Sequence, residues 1–557
     1  MNCLYNINKK ILIIRILIII SVIPQSFYAQ RNKRIPPEEP RLIVGIVVNQ
    51  MRYDYIFRYW DKYGSDGFKR LINEGTFCKN ANYNYMFTQT GPGHATIFTG
   101  TSPSQHGIIA DRWYVRLKEK IINCAEDENV YAVGGNNESG QLSPRNLLSS
   151  TLGDEIRLST NFKSKVFGVS MEGVNAVLSS GHTANAAYWY SSESGNWITS
   201  SYYRDSLPDW VKEFNNKKIP DIYLNREWST LLPIGEYSES LPDSNKYEVG
   251  FNGQVIFPYN LNLLSTVDRT KRNYEILKST PLGNTYIKDF AISTIVNEEL
   301  GMDEYPDMIM IGFASTGYIG QKFGPNSVEV EDTYLRLDKD IAHLLEFIDD
   351  YIGKENVVVF LTADHGVAHV PKYLTDLNIP AGYFNQNASV SLLRSYLNAI
   401  YGQGDWVKFY FAQGLYLDHN LIEDSNLSLE EVQDKVSQFF IQFSGVANSV
   451  SGSTLQTTNF TSGILEKIQN CYNQDRSGDV IINLEPGWVE VSEYSTANNT
   501  AYSYDTHVPL IWYGWKINRS TVSRPLNIID IAPTISTFLN ISFPNAASGS
   551  PIIEIIE

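Results

Sequence analysis

An aspartate and a histidine stand side by side at the end of a short apolar run. Residues 357–361 are rich in β-branched side chains, which is typical of a strand covered on both faces. Asp364 and His365 follow, and open α/β sheets carry their chemistry at the carboxyl ends of such strands. Zinc binds carboxylate oxygen and imidazole nitrogen. Taken alone, the pair fits either a metal site or a turn with a capping Asp and a hydrogen-bonded His.

A threonine at a predicted helix start is the second candidate. Thr90 stands at the expected N-cap position, and Pro92 falls in the first turn. A hydroxyl there lies beside free backbone N–H groups at the positive end of the helix. This location suits an anion or a nucleophile. The alternative is an ordinary capping threonine.

Alternating strands and helices would position these residues. Strands are predicted at 41–48, 165–171, 307–313, 357–361 and 508–513, with helices at 53–73, 328–352 and 528–539. This alternation predicts an α/β domain over 41–545, with a doubly wound, mostly parallel central sheet and helices on both faces. Two stretches break the pattern, at about 184–272 and 371–485, and we expect them to be inserted subdomains.

Composition limits the classes of function. The chain has 557 residues, and its 43% hydrophobic and 13% aromatic content predicts a globular protein with a sizeable core. A formal net charge of -16 argues against nucleic acid or an anionic membrane as the main partner. Three cysteines, Cys78, Cys124 and Cys471, lie beyond the N-terminal segment, so at most one internal disulfide can form and one thiol remains.

The N-terminus has the three parts of a secretory signal peptide. Lys9 and Lys10 precede an apolar run at 11–22, and Ala29 ends a stretch suited to cleavage. We therefore expect a signal peptide at 1–29, a charged, proline-rich linker at 30–40, and a periplasmic or secreted mature protein without a membrane span. An uncleaved N-terminal anchor is the alternative.

Several motifs together resemble a known family. They include VVNQMRYDY from residue 47, TGPGHATIFTG from 90, LTADHGVAH from 361, YDTHVPL from 504 and IDIAPT from 529. In this order they resemble the alkaline phosphatase superfamily. Within it, the nearest match is the type I phosphodiesterase/nucleotide pyrophosphatase branch with its secreted flavobacterial alkaline phosphatases of the PafA type.

The resemblance implies two zinc ions and a Thr or Ser nucleophile that forms a covalent phospho-enzyme. The first zinc would lie among an Asp after the first strand, the Asp-His pair and the nucleophile. These positions read Asn49, Asp364, His365 and Thr90 in this sequence. The change to Asn49 weakens this site.

The second zinc would need the Asp and His of a T-D-Y-x-G-H motif and a late histidine. The motif positions read Gly317 and Gln321, so His507 is the single ligand that the resemblance leaves. This implies that the second zinc site is lost and that at most one weakly bound zinc remains.

The phosphate-binding positions that the resemblance implies are also substituted. An Asn becomes Asp111, a Lys becomes Glu172 and an Arg becomes Val174. Negative charge therefore stands where a phosphate dianion would bind.

These changes favour an exported pseudo-phosphatase that binds an unidentified small molecule or protein. One alternative is an active phosphomonoesterase or phosphodiesterase that uses Thr90 with one metal, or with replacement groups such as Arg112, His369 or Asp505. Another is a structural scaffold. The sequence leaves the oligomeric state open.

Overall fold

The computed structural model describes residues 38–268 and 271–556. Residues 39–557 form one compact unit. The predicted signal peptide and residues 30–37 of the predicted linker lie outside the described residues.

The strands are numbered in chain order. Their bounds are β1 Leu42–Val48, β2 Thr76–Asn82, β3 Arg112–Val115, β4 Lys120–Asn123, β5 Ala132–Val133, β6 Val166–Ser170, β7 Ala186–Tyr190, β8 Trp197–Ser200, β9 Glu227–Trp228, β10 Tyr259–Asn260, β11 Asp307–Phe313, β12 Val357–Thr362, β13 Gly382–Phe384, β14 Val407–Phe411, β15 Gly414–Leu417, β16 Val446–Ser451, β17 Val480–Leu484, β18 Trp488–Glu490, β19 His507–Gly514, β20 Ser520–Val522 and β21 Leu526–Asn527.

Helices connect most of these strands. Those of eight or more residues are Thr90–Thr99, Leu152–Ser159, Gly173–Ser180, Asp209–Asn216, Pro281–Asn297, Ser315–Phe323, Val328–Tyr351, Gln386–Tyr401, Leu429–Phe440, Gly463–Asn470 and Ile531–Phe538. The shorter α-helices are Tyr55–Arg58, Phe68–Glu74, Pro103–His106, Asn137–Gly140, Ile219–Leu224, Leu261–Ser265, Pro371–Asp376, His419–Asp424, Gly452–Thr457, Ser503–Thr506 and Ile553–Ile556. The 3₁₀ turns are Trp60–Lys62, Arg116–Lys118, Pro144–Asn146, Ile234–Glu236, Tyr274–Ser279, Lys354–Asn356 and Ile528–Asp530.

An 11-stranded sheet forms the centre of the molecule. Its order is β20-β2-β19-β12-β1-β11-β6-β7-β8-β5, and β21 also pairs with β2. The strands from β12 through β1, β11 and β6 to β7 are parallel, whereas β19 runs antiparallel to both β12 and β2. β1, β11 and β12 are buried along their whole length, as expected for apolar strands covered on both faces. The predicted mostly parallel α/β fold is confirmed.

The predicted helix at 53–73 is interrupted. It is observed as Tyr55–Arg58, the 3₁₀ turn Trp60–Lys62 and Phe68–Glu74. The carboxylate of Asp338, on the long helix Val328–Tyr351, accepts hydrogen bonds from the backbone N–H groups of Gly64 and Phe68, at 2.8 Å each. These long-range hydrogen bonds hold the chain in a turn where local periodicity predicts a helix.

The two stretches predicted as insertions differ in structure. Within 184–272, β7 and β8 are strands of the central sheet, so the beginning of that stretch belongs to the sheet itself. Within 371–485, β14, β15, β17 and β16 form a separate four-stranded sheet. This sheet and the helices Gln386–Tyr401 and Leu429–Phe440 enclose their own hydrophobic core. We call residues 382–490 the inserted module.

All three cysteines in the described residues are buried and unpaired. In the described part of the chain, no helix has both the length and the apolar character required to cross a bilayer.

Candidate functional site

A cleft of about 1020 Å³ opens at the carboxyl ends of the central parallel strands. Asn49 follows β1, Gly317 follows β11 and His365 follows β12, and all three line the cleft. Thr90 joins them from the start of the helix Thr90–Thr99. Open α/β sheets bind their ligands at this edge, so the cleft is the candidate functional site.

The helix that carries Thr90 packs closely on the loop after β12. Thr90 is its first residue and Gln89 its N-cap, one residue away from the predicted cap. A Cβ atom on Gly93 would lie 2.5 Å from the carbonyl oxygen of Asp364, so only glycine fits at this contact. The close approach leaves Thr90 Oγ1 3.5 Å from His365 Nε2.

Asp364 and His365 form a buried polar pair beneath Thr90. Asp364 Oδ1 accepts hydrogen bonds from the backbone N–H groups of Gln50 and His365, at 2.9 Å each. Asp364 Oδ2 is buried without a hydrogen-bond partner among the described residues and lies 3.5 Å from His365 Nε2. His365 Nδ1 lies 2.7 Å from the carbonyl oxygen of Gly366, which can only accept. Nδ1 therefore carries a ring proton, and in the neutral ring Nε2 presents a lone pair.

Two asparagines complete the floor of the cleft. Asn498 Nδ2 donates to the carbonyl oxygen of Thr88 at 2.6 Å and lies 3.3 Å from His365 Nε2. The carbonyl fixes the amide nitrogen on that side, so the second N–H of Asn498 is available to His365 Nε2. Asn49 Oδ1 accepts a hydrogen bond from Asn175 Nδ2 at 3.2 Å.

Few groups in the cleft could hold a metal. Asp364 Oδ2, His365 Nε2 and Thr90 Oγ1 are the donor atoms close to one another. Gly317 supplies no side-chain donor, and the amide of Gln321 is a poor zinc ligand. Across residues 38–268 and 271–556, no three or more His, Cys, Asp or Glu side chains group in a way that could hold a metal ion.

His507 does not lie in the cleft, which corrects the prediction made from the resemblance. Its ring stacks on Tyr53 with 4.1 Å between ring centroids, and its Nε2 lies 2.9 Å from the carbonyl oxygen of Lys79. As the first residue of β19, His507 is held by the pairing of that strand with β2. Asn498 instead occupies the place beside His365, and no sequence motif distinguishes it from the neighbouring Asn499.

Asp111 binds the start of the helix Thr90–Thr99. Its Oδ1 accepts a hydrogen bond from the backbone N–H of Gly91 at 2.7 Å, and its own N–H donates to Gln89 Oε1 at 2.7 Å. Burial raises the pKa of Asp111, although the Gly91 hydrogen bond opposes the rise. The carboxylate thus occupies a backbone donor that an anionic ligand would need.

Glu172 is paired with a lysine that sequence reasoning missed. Its Oε1 lies 2.9 Å from Lys278 Nζ and accepts a hydrogen bond from the hydroxyl of Tyr318. Lys278 Nζ is also 3.2 Å from Glu275 Oε2. Burial disfavours the charged lysine, but the two carboxylates outweigh it and raise the pKa of Lys278. Val174 lines the same wall and offers no polar atom.

Of the three suggested compensating groups, Arg112 alone lines the cleft. His369 Nδ1 lies 3.0 Å from Asn326 Nδ2, and burial lowers the pKa of this histidine to about 4. Asp505 Oδ2 accepts hydrogen bonds from the N–H and the hydroxyl of Thr500, at 2.9 and 2.7 Å. Burial raises the pKa of Asp505 to about 7.

The inserted module supplies the outer wall of the cleft. Phe409, Tyr410 and Phe411 of β14 line it, together with Arg394 and Lys408. The wall is therefore aromatic and in part basic, and sequence reasoning assigned none of these residues to the site.

The model for type I phosphodiesterases and nucleotide pyrophosphatases matches residues 43–509. The chain belongs to this family. The membership confirms the resemblance read from the motifs, and the matched residues include most strands of the central sheet and the whole inserted module.

Relatives match this family member over nearly their whole lengths. A Myroides odoratus protein named calcium-transporting ATPase is 41% identical, covering 93% of this chain and 95% of that protein. Alkaline phosphatase PafA of Elizabethkingia meningoseptica is 39% identical, covering 95% of this chain and 96% of that protein. The crystal structure of wild-type PafA superposes with a TM-score of 0.89 at 38% identity and covers 94% of this chain and 100% of the crystallised chain.

Proposed function

We propose that this family member is a pseudo-phosphatase: it binds a ligand in the cleft and does not hydrolyse phosphate esters at enzymatic rates. The observation that carries the proposal is the hydrogen bond of 2.7 Å from Gly91 N–H to Asp111 Oδ1. The backbone donor beside Thr90 is occupied by a carboxylate of the protein itself, so a phosphate oxygen would have to displace it.

Electrostatics at this position oppose a phosphate. Two unit charges about 4 Å apart at an effective dielectric near 20 interact by about 4 kcal/mol. A phosphate beside Thr90 would be repelled by Asp111 and by Asp364, whose Oδ2 has no compensating partner in the described chain. Lys278 does not relieve this repulsion, because Glu172 and Glu275 already share it.

The metal donors support the same proposal. Two-metal hydrolysis requires one ion at the nucleophile and one at the leaving oxygen, and a catalytic zinc normally has three protein ligands. Gly317 and Gln321 do not provide a second set, and His507 lies outside the cleft. The residues present therefore do not fit a two-zinc centre.

The second candidate is a hydrolase with a single metal. Asp364 Oδ2, His365 Nε2 and Thr90 Oγ1 favour it, since each atom is within 3.5 Å of the next and one is a buried, unpaired carboxylate oxygen. An ion there would lower the pKa of the Thr90 hydroxyl. The N–H of Asn498 competes for His365 Nε2, so we expect any such binding to be weak.

We also propose export to the periplasm or the exterior. Lys9, Lys10, the apolar run at 11–22 and Ala29 support it. N-terminal sequencing of exported protein tests cleavage, and a first residue at Met1 would contradict it.

Turnover measurements separate the two candidate functions. Purified protein, with and without added zinc, is assayed against phosphate monoesters and diesters beside Thr90→Ala. The pseudo-phosphatase predicts equal background rates for both proteins under all conditions. Zinc-dependent turnover at ordinary enzyme rates that Thr90→Ala abolishes would overturn it in favour of the hydrolase.

A further inference from the structure

The floor of the cleft carries more negative than positive charge. Asp111 accepts the N–H of Gly91, next to Thr90, and Asp364 Oδ2 lies 3.5 Å from His365 Nε2, which is itself 3.5 Å from Thr90 Oγ1. In the part of the chain that the structure describes, neither carboxylate forms an ion pair with Lys or Arg. Glu172 and Glu275 share Lys278, so these three side chains together retain a net negative charge.

Two carboxylate oxygens at this end of the cleft have no hydrogen-bond partner among the described residues. Asp364 is fully buried, and its Oδ2 has no hydrogen-bond partner among the described residues. Leaving a buried carboxylate oxygen unpaired costs free energy, which a donor from a ligand would recover. Asp111 uses Oδ1 for Gly91, and its Oδ2 makes no hydrogen bond within the described chain.

Partly buried aromatic rings of the inserted module also line the cleft. Phe409 and Phe411 are two residues apart on β14 and therefore project from the same face of this strand. Their ring centroids are 6.4 Å apart with 18° between the planes. Tyr410 and Tyr494 also contribute rings to the lining. Aromatic faces attract cations through the negative face of the ring quadrupole.

The basic side chains of the lining do not cancel the charge of the floor. Arg394 pairs with Asp405 at 3.0 Å, and Lys408 pairs with Asp418 at 2.7 Å. Arg112 is exposed, so water screens its charge.

We propose that the cleft binds an organic ligand through a primary ammonium group, seated between Asp111 and Asp364 and facing the aromatic wall. This rests on the proposed function, because a cleft that bound phosphate would need the opposite charge. An ammonium has three N–H donors, and Asp364 Oδ2, Asp111 Oδ2 and Thr90 Oγ1 are three acceptors for it. Unlike zinc, it does not require the lone pair of His365 that Asn498 occupies.

The volume indicates that the ligand is larger than a simple amine. About 1020 Å³ is at the upper end of the roughly 300–1,000 Å³ of small-molecule pockets. Amide side chains along the lining, among them Gln321, Gln386 and Asn387, offer hydrogen bonds to the remainder of the ligand. Polyamines and amino sugars both combine an ammonium group with such an extended body.

Calorimetry on the full mature chain in EDTA tests the proposal with three probes. These are spermidine, a fully deacetylated glucosamine tetramer and the neutral N-acetylated tetramer. We expect spermidine or the glucosamine tetramer to bind with a micromolar Kd, and the neutral tetramer to bind at least tenfold more weakly. The amine that binds more tightly identifies the source of the ammonium group. Failure of both amines, or equal binding of the neutral tetramer, would overturn the proposal.

Matched variants locate the binding. Asp364→Asn and Asp111→Asn keep the side-chain shape and should each weaken amine binding at least tenfold. Asp209→Asn makes the same change on an exposed surface and should leave the Kd unchanged. Unaltered amine binding in both cleft variants, with melting temperatures showing that they are folded, would overturn the assignment. Phosphate-ester turnover is assayed separately with zinc, so catalysis would refute the proposed function, whereas absent amine binding would refute this inference.

Discussion

Asp111 and Asn498 each occupy a hydrogen-bonding position beside Thr90 or His365. Asp111 accepts the N–H of Gly91, and Asn498 approaches the lone pair of His365. On the proposed function, Asp111 opposes an anion at the first position and Asn498 competes with a metal at the second.

The charge of Asp111 gives the first prediction. Asp111→Asn retains an oxygen for Gly91 N–H and removes one negative charge, so we expect inorganic phosphate to bind at least about tenfold more tightly, equivalent to about 1.4 kcal/mol. Isothermal titration at neutral pH in EDTA measures it, with Asp209→Asn as the control. A phosphate affinity that is equal in the wild type and in Asp111→Asn would show that this carboxylate does not exclude anions.

Metal uptake and turnover should recover separately. Asn49→Asp adds a charged oxygen to the cleft, next to Gln50, whose N–H binds Asp364. We therefore expect tighter zinc binding without turnover, because a second ion still lacks ligands. Turnover should require Gly317→Asp, Gln321→His and Asn498→His in addition. Zinc competition with a chromogenic chelator and hydrolysis of p-nitrophenyl phosphate provide the two readouts. Enzymatic turnover by Asn49→Asp alone would contradict the prediction.

At the scale of elements, buried strands were predictable and long-range contacts were not. β11 is observed at the predicted residues. A strand that is buried on both faces can be recognised in the sequence, because it is a continuous run of apolar residues. The prediction of one helix at 53–73 was wrong. Asp338, far away in the sequence, accepts hydrogen bonds from the backbone N–H groups of Gly64 and Phe68 and interrupts the helix. His507 was misplaced because strand pairing, rather than its motif, sets its position.

The helix Thr90–Thr99 gives a prediction at this scale. Gly93→Ala would place a Cβ 2.5 Å from the Asp364 carbonyl oxygen, so the helix and the loop after β12 must separate. We expect the free energy of unfolding to fall by about 1–3 kcal/mol, as for overpacked sites. Gly235→Ala is the matched control, because its Cβ would meet no atom within 4 Å. Equal melting temperatures for the two variants would refute the close contact.

At the scale of the whole molecule, residues 502–505, just before β19, form hydrogen bonds both to the inserted module and to the loop after β12 of the central sheet. The Tyr502 hydroxyl donates to the Leu484 carbonyl oxygen of the module at 2.8 Å, while Gly366 N–H donates to the Asp505 carbonyl oxygen at 2.7 Å. The sequence indicated an insertion at 371–485, between the strand 357–361 and the return of the chain to the core near Tyr504. It could not indicate that the module forms one wall of the cleft, because that depends on tertiary packing.

Asp505 makes this junction sensitive to pH. Burial raises its pKa from 3.8 to about 7, although Thr500, His365 and Arg52 favour the charged form. The folded state therefore binds the proton more tightly than the unfolded state does. The stability that this proton contributes is complete below about pH 4 and is lost as the pH rises to about 7.

Asp505→Asn should remove this dependence, because an amide imitates the protonated acid and still offers an oxygen to Thr500. Relative to the wild type, we expect the variant to gain on the order of 2–4 kcal/mol of unfolding free energy between pH 4 and pH 8. Denaturant or thermal unfolding of both proteins at the two pH values measures the gain. Asp209→Asn, at an exposed site, should show no such gain. The same difference between wild type and Asp505→Asn at both pH values would mean that Asp505 does not titrate in this range.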